Sequence, residues 1–195
     1  LSCIGDNALC MPSVSYAEKA ASYLEGCMRN HDSAGGIIEC RIDGIPAGIG
    51  EPVFDKLDAA LSKAIMSIGA VKGIEIGDGF LAARSSGSTN NDSFYSKDGC
   101  IRKKTNHSGG ILGGISDGHA ILVRAAVKPT PSIAREQETV TADGENTSIA
   151  ITGRHDPVIV PRAVVVVEAM AALTIADMLM VNMSSRLSSL ETFYL

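Results

Sequence analysis

The apolar run from Val158 to Val181 constrains this chain more than any other feature, because a helix that is hydrophobic nearly all round must be buried somewhere. Pro157 precedes the run and removes a backbone donor that a helix start would not use, so the helix is expected to open close to it. Its first N–H groups would then lie beside Arg154, His155 and Asp156, which is a place for an anion. The competing reading is a surface ion pair at a helix start, where the dipole favours Asp in any case. The segment from Ala163 to Val181 is long enough to span a bilayer, but Glu168 and Asp177 are spaced to fall on opposite helical faces. One of them would face lipid, at about 2.5 to 3.5 kcal/mol for an Asp at mid-helix, so a buried helix or a subunit interface is expected and a membrane span is not.

The 195 residues, 45% of them hydrophobic, can bury one sizeable core, read as a single domain over residues 1–195. A formal charge of −5, no Trp and only 4% aromatics argue against nucleic acid as a partner. The five cysteines (Cys3, Cys10, Cys27, Cys40, Cys100) are odd in number and form no CxxC pair, which suggests neither a disulfide framework nor a zinc ribbon. A reducing, cytoplasmic setting fits. Leu1 follows no Met and no secretory pattern, so the chain is expected to be cut from something longer.

Ser15 and Glu18 have capping-box spacing, and apolar residues then recur helically, which predicts a first helix from about Tyr16 to Asn30. "IIECRI" predicts a strand, and "DGIPAGIGEP" (43–52) a turn-rich loop. Phe54, Leu57, Leu61, Ala64, Ile65 and Ile68 mark a second helix ending near Gly69. "VKGIEIGDGFLAA" reads as short strand material broken at glycines, and "RSSGSTNNDSFYSKDG" (84–99) as a mobile surface loop too polar to pack. "GHAILVRAAVKP" (118–129) is the most convincing strand, apolar enough for burial on both faces. Helices and strands mix without a regular βαβ period, which favours α+β.

"NHSGGILGGISDG" packs five glycines around three large apolar residues, so the backbone there can approach a ligand and offer its N–H groups. Tight turns and a close-packed glycine strand are the competing reading, and neither GxGxxG nor a P-loop is present. Lys128, Pro129, Thr130, Pro131 and Ser132 end the strongest strand with a cation, two prolines and two hydroxyls, suited to holding a phosphate or simply to a stiff turn. Arg102, Lys103 and Lys104 form a basic run that is either a solvated face or an attractor of anions. His107 and His119 have no second His or Cys at ligand spacing, so no metal is assigned. No nucleophile motif supports covalent hydrolysis.

Four blocks, "GEPVFDKLDAALSKAIMSIGAVKGIEIGDGF" (50–80), "GGILGGISDG" (109–118), "KPTPSI" (128–133) and "GRHDPVIVPRAVVVVEAM" (153–170), occur in the order found in chorismate synthases. From about Ile45 to Met183 the chain resembles the C-terminal half of that family. The resemblance implies a layer of helices between two antiparallel sheets, assembled as a homotetramer. It implies a lyase that binds reduced FMN and converts 5-enolpyruvylshikimate 3-phosphate to chorismate and phosphate by 1,4-anti elimination, in the shikimate pathway to aromatic amino acids. Flavin contacts are implied at Gly69, Ala70, Gly113, the loop Lys128 to Ser132, and Arg154, with Asp156 as the catalytic residue in proton transfer near the flavin N5. Gly69 stands where many members have Asn, so a contact there falls to the backbone.

The family's N-terminal blocks, a GESHG histidine region and a GRSSARET-like flavin segment, are not found, and "ARSSGS" (83–88) sits in the wrong block to replace the second. The resemblance therefore implies a C-terminal portion without a complete active site. It leaves open whether a partner protein or an intrinsic NADPH-dependent activity reduces the flavin. A non-catalytic ligand-binding or assembly domain derived from the same fold is the second hypothesis. A nucleotide-binding module is disfavoured, since strand, glycine loop and helix do not occur in phosphate-binding order.

Overall fold

A computed structural model describes residues 3–153, 155–185, 187, 191 and 192. Among the described residues the element order mixes four α-helices with nine strands, an α+β arrangement: α1 (Val14–Arg29), β1 (Gly36–Ile42), α2 (Leu57–Met66), β2 (Val71–Ile76), α3 (Gly87–Asn90), β3 (Phe94–Lys97), β4 (Cys100–Lys103), β5 (Ile111–Leu112), β6 (Ile115–Ser116), β7 (Ile121–Val127), β8 (Gln137–Val140), β9 (Asn146–Ile149) and α4 (Val160–Met183). A 3₁₀ segment, Gly79–Arg84, follows β2. The chain divides into two compact units, one of Leu1–Ile37 with Ala126–Val165 and the other of Ile38–Ala125 with Val166–Leu195.

The larger unit is built on a three-stranded sheet in the order β1-β7-β2. The expected central strand is there, but its apolar run is not buried on both faces. Ile121, Val123, Ala125 and Val127 are buried, while Leu122 and Arg124 are half-buried and Ala126 is exposed. A period of two is what one covered face produces. Leu57, Leu61 and Ile65 of α2, at helical spacing, are fully buried and pack the helix on β2. Phe54, expected on this helix, precedes it and is exposed.

The polar segment 84–99 is not a featureless loop; it forms α3 and, with residues up to Lys103, the antiparallel β3–β4 hairpin. Its polar groups find partners inside the protein. The Asp92 carboxylate accepts from the Thr105 hydroxyl at 2.7 Å and from the backbone N–H groups of His107 and Ser108 at 2.8 and 3.0 Å. Segments that satisfy their own polar groups need no apolar core to be ordered.

In the smaller unit, α1 starts at Val14 after Ser13, with no side-chain cap. The Ser13 and Ser15 hydroxyls lie 3.1 Å apart, so the anticipated Ser15 and Glu18 box does not form. Only Ala17 of α1 is buried, and Tyr16 and Tyr23 are exposed. A second hairpin, β8–β9, spans residues the sequence left unassigned.

Helix α4 opens at Val160, three residues later than Pro157 implies. Pro157 and Val158 are drawn into a parallel bridge with Ala34, so Pro161 takes the place in the first turn where a missing N–H costs nothing. Its buried residues, Val167, Ala171, Ile175 and Met178, form a single stripe, and Leu173 and Met180 are more than 60% exposed. By length and composition alone this helix could cross a membrane, and Glu168 and Asp177 on it are exposed.

Candidate functional site: a proline-stiffened loop and a histidine-aspartate turn on one anchor

In the smaller unit, the short segment Ser33–Gly35 holds two sequence-predicted regions at once. The Ser33 hydroxyl donates to the Thr130 carbonyl at 2.6 Å. One residue on, the Ala34 N–H donates to the Pro157 carbonyl at 2.7 Å. Gly35 lies so close beneath the end of β7 that a β-carbon there would meet the Val127 carbonyl and sit 3.1 Å from the Pro129 ring. The loop Lys128 to Ser132 and the turn His155–Pro157 are thereby fixed to consecutive residues of one strand entry.

Two prolines leave the 128–132 loop few conformations. Lys128, Pro129 and Pro131 are exposed, whereas Thr130 and Ser132 are half-buried. The Thr130 Oγ1 is buried and has no hydrogen-bond partner among the described residues. An unpartnered buried hydroxyl costs about 1 to 3 kcal/mol, which a ligand acceptor would recover. Beside the anchor, the Asp32 carboxylate accepts the Ser33 N–H and the Arg135 guanidinium, each at 2.9 Å, and these hold its carboxyl below the usual range.

On the turn, His155 Nε2 lies 3.0 Å from the Ile151 carbonyl, so that nitrogen carries the proton. The Asp156 carboxylate accepts from Arg162 Nη1 at 2.7 Å, six residues along in the first turn of α4. Its second oxygen has no partner among the described residues. Arg154 lies outside the described residues.

The remaining expected positions belong to the larger unit. Gly69 and Ala70 form the turn from α2 to β2, with Ala70 in the left-handed region at φ +71°. A β-carbon built on Gly69 meets nothing within 4 Å, so the backbone there is open to approach. Gly113 makes the tight turn between β5 and β6 at φ +59° and is equally uncrowded. Its neighbour Gly114 is buried against the Lys56 side chain, and its carbonyl accepts the Leu57 N–H at 2.8 Å. Within the glycine-rich run the backbone is closely packed at Gly109 and Gly110, Gly109 against Gly77, and open at Gly113.

The basic run splits as well. Arg102 and Lys104 are exposed, but the Lys103 side chain is 1% exposed, with Nζ 2.7 Å from Asp117 Oδ2 and 3.0 Å from Asp92 Oδ2. Ser108 and Asn106 complete its shell at 2.7 and 3.2 Å. The Lys103 N–H donates to His119 Nε2 at 3.0 Å, leaving His119 Nδ1 to donate to Asp117 Oδ1 at 3.1 Å. His107 Nδ1 pairs with Asp78 Oδ2 at 2.6 Å. Both histidines are held by carboxylates, and no metal-binding cluster occurs among the described residues.

Sequence reasoning missed Ser33, Ala34 and Gly35. Their one signal is the small-residue run "SAGG" (33–36), which allows two backbones to approach a strand entry.

The chorismate synthase family model matches residues 2–180. The chorismate synthase of Lachnoclostridium phytofermentans is 64% identical over 187 residues, covering 95% of this chain and 51% of its own. That of Agathobacter rectalis is 59% identical over 191 residues, covering 98% and 52%. That of Methanosarcina barkeri is 60% identical over 162 residues, covering 83% and 44%. A crystal structure of chorismate synthase superimposes with a TM-score of 0.77 at 32% identity, over 93% of this chain and 48% of that one. The chain spans about half the length of the curated relatives it matches.

Proposed function

The chain belongs to the chorismate synthase family, and from that premise we propose that it supplies the flavin-binding and proton-transfer side of an FMN-dependent lyase. The reaction is the 1,4-anti elimination of phosphate from 5-enolpyruvylshikimate 3-phosphate to give chorismate. The observation that carries this reading is the shared anchor Ser33–Gly35, which ties a Lys–Thr–Ser phosphate loop and the His155–Asp156 turn to adjacent residues.

The residues fit the cofactor. The FMN phosphate, a dianion at neutral pH, matches Lys128 and the unpartnered Thr130 hydroxyl. In the larger unit, open backbone at Gly69 and Gly113, with Ala70 beside the first, suits the approach of a flat ring. In the smaller unit, Arg154 is the expected cation. Reduced FMN held by these residues would supply an electron-rich ring to an elimination with no net redox change. Asp156 moves the proton through the carboxylate oxygen that has no partner among the described residues, while Arg162 fixes the other. The prolines of the loop exclude rearrangement when the anion enters.

The same reading carries the finer expectations: helices between two antiparallel sheets, a single domain over residues 1–195, a cytoplasmic homotetramer, and NADPH or a partner protein as the source of reducing equivalents. The chain should be co-expressed with the part of the Lachnoclostridium phytofermentans relative that it does not match, and chorismate formation followed anaerobically with chemically reduced FMN. Turnover supports the lyase. FMN binding by the reconstituted pair without turnover would favour the non-catalytic alternative.

A further inference from the structure

The 128–132 loop is poor in the groups that usually cradle a phosphate. Pro129 and Pro131 carry no N–H, so across residues 129–131 the backbone offers one donor, that of Thr130. A nest of successive amides, the usual backbone seat for an anion, does not form on such a segment. Holding an anion there falls to the side chains of Lys128, Thr130 and Ser132. Lys128 is exposed and has its rotamers still to lose on binding. Of the two hydroxyls, that of Thr130 is buried and without a partner among the described residues.

Where that hydroxyl points is decided by the Thr130 backbone. The side chain is β-branched and stiff about χ1, so a fixed backbone leaves it few rotamers. Pro131 disfavours the helical region for the residue before it, which narrows ψ of Thr130. The carbonyl that could still swing about ψ is held, because it accepts the Ser33 hydroxyl at 2.6 Å across 97 positions of sequence. Ser33 is fastened in turn. Its N–H donates to Asp32 Oδ1 at 2.9 Å, Asp32 Oδ2 accepts Arg135 Nη1 at 2.9 Å, and the Asp32 N–H donates to the Cys27 carbonyl in the last turn of α1 at 2.9 Å. Arg135 follows Ser132 closely, so Asp32 and Ser33 clasp the loop at its middle and just past its end.

Building on the reading of this loop as the seat of the FMN phosphate, we infer that Ser33 is the positioning residue that selects the phosphorylated flavin: by holding the Thr130 carbonyl it presets the Thr130 hydroxyl to donate to a phosphate oxygen. Ser33 acts through Thr130, since its own single hydroxyl proton is committed to that carbonyl. A preset donor gives up no rotamer freedom when the anion arrives. A flavin without a phosphate gains nothing from it, so Ser33 governs the choice between FMN and riboflavin and leaves ring binding alone.

Fluorescence titrations of FMN and of riboflavin into the co-expressed pair described above test this, using Ser33→Ala, Thr130→Val and the double variant. The parent should bind FMN at least about tenfold more tightly than riboflavin. Thr130→Val keeps the branched shape and should weaken FMN binding at least about tenfold, and Ser33→Ala at least about fivefold, each leaving riboflavin within about twofold of the parent. The double variant should match Thr130→Val to within about twofold, because Ser33 acts through a hydroxyl that is already gone. Equal losses of FMN and riboflavin in Ser33→Ala would reduce Ser33 to a contact of the fold and overturn the inference. Full parental preference for FMN in Ser33→Ala, or additive losses in the double variant, would overturn it as well while leaving the flavin reading standing. That reading fails in a different way: a parent that binds both flavins alike removes the phosphate from this loop, a parent that binds neither removes the flavin, and the role of Ser33 falls with either.

Discussion

The Lys103 ammonium lies 2.7 Å from Asp117 and 3.0 Å from Asp92, with all three side chains less than 10% exposed. One buried cation therefore joins the β3–β4 hairpin, the segment before it and the glycine-rich run. Removing one partner of such a group leaves uncompensated charge in a low-dielectric site. Lys103→Met should cost about 3 to 5 kcal/mol, read from urea denaturation midpoints at pH 7. A loss under about 1 kcal/mol would show that water reaches the site and relieves the two carboxylates.

The same cluster sets an acid dependence. Burial pushes the Asp92 and Asp117 carboxyls up, but donors outweigh it and hold both below the usual range. For Asp92 these are the Ser108 N–H, the Thr105 hydroxyl, the His107 N–H and Lys103; for Asp117 they are Lys103 and His119. A folded pKa below the unfolded value contributes stability that is fully present above the unfolded carboxylate range, near about 4, and is lost as pH falls through the folded value. Midpoints should hold between pH 7 and 5 and fall steeply below about 4. Asp117→Asn should lower stability at pH 7 and flatten the acid limb.

The glycines divide into crowded and open positions. Gly77 crosses Gly109 so closely that a β-carbon would strike the His107 carbonyl and the Gly109 amide, at a φ of +56°. Gly77→Ala should therefore cost more than the roughly 1 to 2 kcal/mol of a left-handed alanine. Gly113 shares the positive φ but faces open space, so Gly113→Ala should stay near that lower figure. If the backbone at Gly113 meets the flavin ring, the same change should weaken FMN binding in the reconstituted protein. Equal thermal shifts for the two variants would refute the crowding at Gly77.

What the sequence revealed, and what it withheld, follows from the range of each signal. The β7 strand, α2 and the apolar helix are local patterns of spacing, and all three elements formed where periodicity placed them to within a few residues. Family motifs name the 128–132 loop and Asp156 as expected flavin and proton-transfer positions, and their roles stand as proposals. Contacts between distant residues left no such trace. The Ser33 hydroxyl on Thr130 spans 97 positions, and a run of small residues does not say which backbone will come to it. Residues 84–99 misled for a related reason: polar groups imply solvent only when no partner lies elsewhere in the chain, and Asp92 has four.

Helix α4 offers a contrast between its stripes. Ile175 is 5% exposed and Leu173 is 66% exposed, two residues apart on an almost wholly apolar helix. Ile175→Ala should cost about 2 to 5 kcal/mol, whereas Leu173→Glu should change stability by no more than about 0.5 kcal/mol and reduce light scattering at high salt, where charge contacts are screened. A large stability loss for Leu173→Glu would mean that its face is covered in solution.

The last prediction concerns Asp156, whose carboxylate is held by Arg162 through one oxygen. Asparagine keeps the shape and can still accept from Arg162 through its amide oxygen, but it cannot take up or release a proton. In the reconstituted enzyme Asp156→Asn should leave FMN affinity within a few fold of the parent and lower single-turnover chorismate formation by roughly 10² to 10⁴, the usual span for one acid–base group. Arg162→Gln removes the clamp and leaves the acid, so it should lower turnover less and restore part of its loss when Lys replaces Gln. Arg154→Ala should instead weaken FMN binding, since it deletes a cation expected to touch the cofactor. Two titrations and one rate thus separate the roles. Near-parental turnover for Asp156→Asn would reduce that residue to a partner of Arg162 at a helix start, stabilised by the dipole alone.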